Sequence, residues 1–220
     1  VLLKGQWEYV EVIPQGTHVS GYDWHCALMS VPRWLGFSHK HILFKEGYLK
    51  PDKERLAQWK KKLPPPQRPR VGICCSGHPS HQNDRNRSIP FELIRTLLLP
   101  DVDFFLLQKE FRSTDVAALD GTFGVTILPI DDYQDTSCLV AMMDLIISVD
   151  TSLAHLAGAM GKPAWILLPW VPDWRWQLAR EDSDWYASVT LFRQANDQSW
   201  SHVLNSVRSR LADLFTEATR

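Results

Sequence analysis

Between residues 70 and 193, short uninterrupted apolar runs alternate with stretches of helical periodicity, and this alternation constrains the fold more than any other feature. The apolar runs predict six strands, at 70–75, 102–108, 125–130, 144–150, 163–169 and 189–193. Helical patterns occur at 90–99, 113–119, 132–143, 151–160 and 199–217. Short strands that are apolar on both faces and alternate with helices indicate a parallel sheet covered on both sides. The sequence therefore predicts an α/β domain.

The first 63 residues carry weaker signals. The alternation over 7–13 predicts a strand, and an apolar stretch over 24–36 predicts a short helix that ends at Gly36. A further strand-like patch lies at 41–44. This part of the chain is too short for a complete doubly wound domain, so we expect only the end of one.

A helix and a proline-rich segment separate the two parts. Pro51-Asp52 opens a predicted helix over 51–63, and three lysines near its end complement the helix dipole. The run PPPQRP at 64–69 breaks the helical pattern and predicts an interdomain linker. We therefore predict that 1–63 is the incomplete end of an N-terminal domain and that 70–220 is a complete second domain.

Charge and cysteine content narrow the function classes. With 24 Lys and Arg against 25 Asp and Glu, the formal net charge of −1 argues against a broad electrostatic contact with nucleic acid or an anionic membrane. No apolar run reaches the length of about 18 residues that a membrane span needs. The four cysteines form no CxxC pair, which favours buried thiols in the reducing cytoplasm. The chain starts at Val1 without a signal-peptide pattern, and we interpret it as a fragment of a longer cytoplasmic protein.

In an open parallel sheet, ligands bind outside the carboxyl ends of the strands, which selects three loops here. The first follows the strand that ends at Val149. The next helix begins with Asp150, Thr151 and Ser152, so free backbone N–H groups and two hydroxyls predict an anion site. His155 lies on the same helical face and could reach the same anion. The alternative is that Asp150 or Thr151 only caps the helix and that His155 is a polar core residue.

The other two loops carry basic and amide side chains. The second, over 76–90, contains His78, His81, Asn83, Arg85, Asn86 and Arg87. Such side chains at the end of a strand suit phosphate groups or sugar hydroxyls, although a solvated surface loop has the same composition. In the third loop, Gln108 and Lys109 follow the second strand, where Lys109 either meets a diphosphate or is an ordinary surface lysine. One sheet brings all three loops to the same edge, which favours a single site.

Signatures of several other chemistries are missing from the sequence. It contains no GxGxxG after a strand, no GxxxxGK[ST] and no GxSxG motif, so hydride transfer and P-loop chemistry lose support. His78 and His81 have no third ligand at a suitable spacing, so no metal site is predicted. The pair Asp131-Asp132 heads a helix and favours capping over metal binding.

The segment 147–176, ISVDTSLAHLAGAMGKPAWILLPWVPDWRW, resembles the donor-site region of bacterial heptosyltransferase-like (family 9 type) glycosyltransferases. It is most similar to the versions fused behind tetratricopeptide repeats. Further motifs of that group occur here in order: Ser76-Gly77, NDRNRSIP at 83–90, Leu-Gln-Lys at 107–109 and DSDWY at 182–186. Asp23, His25, Cys26 and the LMS of 28–30 also resemble the segment before the linker.

This resemblance implies the C-terminal half of a GT-B glycosyltransferase, in which two Rossmann-like domains face each other across a cleft. Residues 70–220 would hold a nucleotide diphosphate sugar, and 1–63 would end the acceptor-side domain. Such enzymes work without a metal or other cofactor, because helix N-termini and basic side chains can stabilise the leaving diphosphate. Together, the loops and the resemblance give a donor site of Ser76, Gly77, Arg85, Arg87, Gln108, Lys109, Asp150, Thr151, Ser152 and His155. An upstream repeat domain and a glycan, lipid-linked or protein acceptor are the expected partners.

Some positions depart from the family pattern, and other functions stay open. Ser152-Leu153 stands where relatives often have glycine, and His78 stands where they often have asparagine. The general base is expected from the acceptor side, where His25 is either the base or a capping or core histidine. The alternative function is a non-catalytic nucleotide-binding or interaction module, with the Trp-rich 170–176 and 182–187 as its partner surface. An epimerase of the same architecture is a third possibility.

Overall fold

A single parallel sheet organises the molecule. The structure, a computed structural model, describes residues 2–38, 46–119 and 124–217, without the side chains of 216 and 217. The strands are β1 (Arg70–Cys74), β2 (Asp103–Leu106), β3 (Val125–Ile127), β4 (Leu145–Val149), β5 (Ala164–Leu168) and β6 (Val189–Arg193). They pair in the order β3-β2-β1-β4-β5-β6, and every pair is parallel. This order is that of the Rossmann fold, with the topological switch between β1 and β4. The predicted α/β fold class is confirmed.

The helices also follow the sequence patterns closely. They are α1 (Val31–Trp34), α2 (Lys53–Lys62), α3 (Asp84–Arg87), α4 (Phe91–Ile94), α5 (Ser113–Leu119), α6 (Tyr133–Met142), α7 (Ser152–Ala159) and α8 (Trp200–Glu217). The helix predicted over 90–99 is α4 followed by a 3-10 turn at Arg95–Leu97, and α3 lies in a segment predicted to be a loop. Helix α2 starts at Lys53 because the side chain of Asp52 accepts a hydrogen bond from Arg55 N at 2.8 Å. Within the described ranges, no helix is long and apolar enough to cross a membrane.

Two hydrophobic clusters cover the two faces of the sheet. On one face, α2, α6 and α7 contribute apolar side chains such as Trp59, Leu139 and Leu153. On the other face, α4 and α8 contribute residues such as Phe91 and Val207. Cys74, Cys75 and Cys138 are buried in these clusters, as the sequence predicted, whereas Cys26 is exposed and contradicts that prediction.

The leading segment forms less regular structure than the sequence predicts. Residues 7–13 form turns and irregular backbone instead of a strand. The helix predicted over 24–36 reduces to a 3-10 turn at Leu28–Ser30 and the four-residue α1. The reason is the lack of a packing partner: within 2–38, large side chains such as Tyr9 and Trp24 are each 91% exposed. A lone strand or short apolar helix gains too little from burial to persist. The patch predicted at 41–44 lies outside the described residues.

The segment just before the prolines belongs to the core of the sheet. Leu49, Trp59 and Leu63 are buried in the same cluster as the residues of α6 and α7. The backbone N–H groups of Tyr48 and Leu49 also donate to Ala159 O, at 2.7 and 2.9 Å. Residues 48–63 therefore pack as part of the α/β unit, and the predicted division at 64–69 stays a prediction.

Candidate functional site

A cleft of about 510 Å³ lies at the carboxyl ends of β1, β2, β3 and β4, beside the topological switch. Open α/β sheets bind ligands at this position. The polar and charged lining residues are Ser76, His78, Arg87, Gln108, Lys109, Glu110, Asp131, Asp132, Tyr133, Thr136, Thr151 and Ser152. The structure thus brings together Ser76, Gly77, Arg87, Gln108, Lys109, Thr151 and Ser152 from the predicted donor site.

The start of α7 opens into this cleft. Thr151 is the N-cap residue, but its side chain caps no N–H group of the helix. Its hydroxyl instead lies 3.2 Å from Ser148 Oγ and 3.7 Å from Cys74 Sγ. The first-turn N–H groups of a helix have no intrahelical acceptor, so those at Ser152 and Leu153 remain available to an anion from the cleft. The side chain of Thr151 therefore does not cap the helix, and the binding of an anion at this helix start stays a prediction.

Arg87 is anchored between β1 and β4. Its Nη1 donates to Asp150 O at 2.7 Å, and its Nε lies 3.4 Å from Asp84 Oδ1. Asp84 is buried, also pairs with Arg112, and accepts a hydrogen bond from Ser88 Oγ at 2.9 Å. A buried carboxylate shared between two arginines fixes the direction of each guanidinium. Arg87 therefore enters the cleft in a set orientation and is not a freely moving surface side chain.

The side chains of Arg87 and Asp84 pack so close to Gly77 that no side chain fits at this position. The Gly77 N–H donates to Ser88 Oγ at 3.0 Å. A Cβ at this position would press against the Arg87 guanidinium and lie 2.8 Å from Asp84 Oδ1. Any larger residue would displace Arg87, so the Ser76-Gly77 pair and Arg87 act as one structural unit.

Gln108 is a buried brace between the ends of β1 and β2. Its Oε1 accepts from Cys75 N at 2.9 Å, and its Nε2 donates to Ser76 Oγ and to Glu110 O, both at 3.1 Å. The amide is thus occupied by protein partners, and its visible role is to position Ser76. Its predicted contact with a ligand stays a prediction.

The opposite wall of the cleft includes Asp131, Asp132 and Tyr133, which the sequence analysis did not assign to the site. Lys109 Nζ donates to Asp131 O at 2.9 Å, which ties the end of β2 to the end of β3. The hydroxyl of Tyr133 hydrogen-bonds to Ser152 Oγ across the cleft. Asp131, Asp132 and Tyr133 follow the predicted third strand directly, so the rule that selected the other loops would have found them.

Helix α2 supports this wall from behind. Asp132 caps α6 by accepting from Gln134 N and Asp135 N at 2.8 and 3.0 Å, as the sequence predicted for this pair. Arg55 Nη1 lies 2.6 Å from Asp132 Oδ1, and the Trp59 indole donates to Asp135 Oδ1 at 2.9 Å. The chain before the prolines is therefore connected by hydrogen bonds to a wall of the cleft.

His155 is not among the residues that line the cleft. Its ring stacks on Trp176 at a centroid distance of 5.1 Å, and its Nδ1 lies 3.1 Å from the Tyr186 hydroxyl. Burial lowers the pKa of His155, although the nearby Asp150 opposes that shift. The geometry fits the alternative of a polar residue packed against core aromatic rings, and the predicted contact of His155 with an anion stays a prediction.

Arg85 and His25 also lie apart from the cleft. Arg85 lines two cavities on the other side of α3, because side chains two residues apart on a helical turn point to nearly opposite sides. His25 is exposed in the leading segment, with its ring 6.2 Å from that of Tyr22. Nothing among the described residues connects His25 to the cleft, and its predicted role as a base stays a prediction.

Charges are distributed unevenly in the cleft. Arg87 and the α7 N-terminus lie on the β1 and β4 side, whereas one lysine, Lys109, and three acidic residues, Glu110, Asp131 and Asp132, follow β2 and β3. In the parts of the chain that the structure covers, no group of three His, Cys, Asp or Glu side chains could hold a metal ion. The β1 and β4 side of the cleft is therefore the more positive one, and the β2 and β3 side is the more negative one.

Comparison with known proteins gives one sequence match and several fold matches. No family model matches the sequence. Over 179 residues the chain is 30% identical to Protein FlbA of Caulobacter vibrioides, a match that covers 77% of this chain and 29% of FlbA. The chain thus spans less than a third of that relative.

Two solved structures from E. coli share the fold. Heptosyltransferase WaaC with ADP superimposes with a TM-score of 0.56 at 15% identity, covering 83% of this chain and 53% of WaaC. ADP-heptose LPS heptosyltransferase II gives a TM-score of 0.50 at 16% identity, covering 78% of this chain and 54% of that protein. The chain therefore has a fold found in glycosyltransferases and spans about half the length of these two.

Proposed function

We propose that this chain is the donor-binding part of a glycosyltransferase that transfers a sugar from a nucleotide diphosphate sugar to an acceptor hydroxyl. The observation that carries the proposal is the meeting of Arg87 and the uncapped start of α7 at the topological switch of the sheet. Helix N-termini and arginine both suit phosphate oxygens. The fold shared with E. coli heptosyltransferases, one of them solved with ADP, supports it.

In this proposal the diphosphate lies between Arg87 and the N–H groups of Ser152 and Leu153. The acceptor oxygen attacks the anomeric carbon, the bond from that carbon to the diphosphate oxygen breaks, and the nucleoside diphosphate leaves with the electron pair. Arg87, Lys109 and the dipole of α7 stabilise the negative charge that develops on the leaving oxygen, so no metal ion is needed. The carboxylates after β2 and β3 face the hydroxyls of the ribose, as an acidic residue does in related nucleotide folds.

The remaining steps need groups beyond the cleft. The proton of the acceptor goes to a general base on the acceptor side, and His25 is the candidate in this chain. A glycan, lipid-linked or protein acceptor and an upstream repeat domain complete the proposed enzyme. The three buried free thiols favour a reducing location, so we propose that it acts in the cytoplasm.

Calorimetric titration of the 220-residue chain with ADP, UDP, GDP and CDP tests the proposal. We expect one of these nucleotides to bind, and Arg87→Met to weaken that binding at least tenfold because a desolvated cation that contacts phosphate is lost. Arg85→Met is the matched control, since Arg85 lies on the same short helix but outside the cleft, and it should bind as the wild type does.

Two outcomes would contradict the assignment. If none of the four nucleotides binds at about millimolar concentration, an affinity of about 4 kcal/mol is not reached and the donor site is wrong. If Arg87→Met and Arg85→Met bind the same nucleotide equally well, the site lies elsewhere on the chain. Circular dichroism of each variant establishes that a loss of binding does not come from unfolding.

A specific surface favours the second candidate function, an interaction module. Trp170, Val171 and Trp174 are 49%, 70% and 66% exposed in the loop after β5. Exposed aromatic side chains of this kind are enriched at protein interfaces. Under this alternative, Trp174→Ala would abolish capture of a partner protein, and the chain would transfer no sugar even if it still bound a nucleotide.

A further inference from the structure

Three charged side chains form a cluster behind the β1 and β4 side of the cleft, and we name it the charge cluster. Its members are Asp84, Arg87 and Arg112, whose side chains are 6%, 13% and 29% exposed. Two guanidinium groups face one carboxylate, so one positive charge remains in excess. Charges that are largely buried are screened less by water and salt than exposed ones, so this excess charge acts strongly on an anion in the cleft.

The two arginines of the charge cluster differ in their position relative to the cleft. Arg87 lines the cleft, whereas Arg112 is not among its lining residues and borders a cavity on the other side of α3. The backbone carbonyl of Arg112 accepts hydrogen bonds from Asp115 N and Val116 N at 2.9 and 3.0 Å, which fixes its backbone at the start of α5. Arg112 therefore acts on the cleft through its ion pair with Asp84 and not by contact with a ligand.

Asp84 divides its two carboxylate oxygens between the arginines. Its Oδ1 lies 3.4 Å from Arg87 Nε and accepts a hydrogen bond from Ser88 Oγ at 2.9 Å. Its Oδ2 pairs with Arg112. The contact with Arg87 is long, because hydrogen bonds between charged partners are typically about 2.7–2.9 Å. Asp84 therefore orients Arg87 but neutralises only part of its charge, since Arg112 takes a share of the same carboxylate.

We propose that Arg112 is a positioning residue for an anion in the cleft, because its ion pair with Asp84 leaves the positive charge of Arg87 available. Without Arg112, the carboxylate would be free to form a closer, bidentate ion pair with Arg87. The excess positive charge of the cluster would also disappear, and an anion would compete with Asp84 for the guanidinium. The identity of the anion as the diphosphate of a sugar donor rests on the proposed function, but the coupling between the two arginines does not.

Titration of the full 220-residue chain with inorganic pyrophosphate and with ADP tests this role. We expect Arg112→Gln to weaken the binding of both ligands about fivefold or more, and Arg112→Lys, which keeps the charge, to retain most of the affinity. Arg95→Gln is the matched control, since it removes an arginine that pairs with Glu92 on the surface, and it should bind as the wild type does. In an Arg87→Met background, Arg112→Gln should cause no further loss, because its effect passes through Arg87.

The NMR signal of the Arg87 Nε–H group reports the coupling in the chain without ligand. Arg87→Met identifies this signal by its loss. A closer hydrogen bond to Asp84 should move the signal downfield and slow its exchange with water in Arg112→Gln, whereas Arg112→Lys should keep it near the wild-type position. An unchanged Arg87 signal in Arg112→Gln would overturn the inference. A loss of affinity that Arg112→Lys shares in full would also overturn it, because the charge of Arg112 would then not be the cause.

The two ligands separate this inference from the proposed function. Pyrophosphate binding that depends on Arg112, without binding of ADP, UDP, GDP or CDP, would contradict the donor site and leave the positioning role in place. Nucleotide and pyrophosphate binding that Arg112→Gln does not weaken would contradict the positioning role alone. If the wild-type chain binds neither pyrophosphate nor a nucleotide, both proposals are wrong. Circular dichroism of each variant establishes that it is folded.

Discussion

The imidazole of His155 packs against the rings of Trp176 and Tyr186 and is not among the side chains that line the cleft. The DTSLAH motif places it one turn after Thr151, and helical spacing alone put both on one face. The residues that pack beside that face, Trp176 and Tyr186, lie more than 20 positions further along the chain. A motif therefore locates such a residue on its helix, but tertiary packing decides what it touches.

This enclosure predicts a pH dependence of stability. Because burial lowers the pKa of His155 in the folded chain, the unfolded chain takes up the proton first as the pH falls below about 6.5. The free energy of unfolding should then decrease between about pH 7 and the folded pKa, by at most about 1.4 kcal/mol per pH unit. His155→Gln removes this titration, so urea unfolding at about pH 7.5 and pH 5.5 should show a smaller change than in the wild type. The same pH dependence in both chains would contradict a depressed pKa.

Arg85 and Arg87 illustrate the limit of a motif at the same scale. Both belong to the NDRNRSIP segment, and the sequence analysis assigned both to phosphate. The structure separates them because the segment forms the helical turn α3, with the buried Asp84 drawing Arg87 towards β4. The strand ends that hold Ser76, Lys109 and Thr151 were predictable from apolar runs, whereas the direction of a side chain on an unpredicted helix was not.

At the scale of elements, α6 connects α2 to the cleft through its first residues. The carboxylate of Asp132 caps α6 and also forms an ion pair with Arg55. Both side chains of this ion pair are partly exposed. The cap satisfies backbone N–H groups, which an exposed ion pair does not do, so the cap should contribute more to stability.

Two substitutions at Asp132 separate these contributions. Asp132→Ala should lower the free energy of unfolding by about 1 kcal/mol, because the cap is lost. Asp132→Asn keeps a capping oxygen and loses only the charge. This substitution should therefore lower the free energy of unfolding by less, within the roughly 0–1 kcal/mol that an exposed ion pair contributes. Urea unfolding at neutral pH measures both. Equal losses would show that the ion pair with Arg55, and not the cap, supports the start of α6.

Among the elements, long periodic segments were predicted best. The six strands and helices such as α6, α7 and α8 occur where the patterns placed them, because all of them except the edge strand β3 bury apolar side chains in the two clusters. The alternating pattern at 7–13 satisfied the same local rule but formed no strand, since no neighbouring strand pairs with it among the described residues. A local sequence pattern therefore predicts a strand or helix correctly only where another part of the fold packs against that segment.

At the scale of the whole molecule, the sheet and the chain before the prolines share one core. Leu49, Trp59 and Leu63 together bury apolar surface worth several kcal/mol, at about 1.5–3 kcal/mol for each large side chain. Small domains have only about 5–15 kcal/mol of net stability, so removing this layer would consume a large share of it.

A pair of shortened chains tests this shared core. A chain of residues 46–220 keeps the layer and should unfold cooperatively, at a midpoint close to that of the full chain. A chain of residues 70–220 loses it and should melt at a clearly lower temperature, or lack a cooperative transition, when both are followed by circular dichroism. If 70–220 is as stable as 46–220, the prolines mark a true domain boundary.

The close approach of Gly47 to α7 has a mechanical consequence. A Cβ at Gly47 would lie 2.6 Å from the backbone carbonyl carbon of Met160, so the chain is seated directly on the end of that helix. Because Tyr48, Leu49, Trp59 and Leu63 also pack on this core, we expect residues 47–63 to move together with the sheet. If a domain upstream moves over the cleft, we expect its pivot to lie before Gly47 and the proline run at 64–69 to keep a fixed position relative to the sheet.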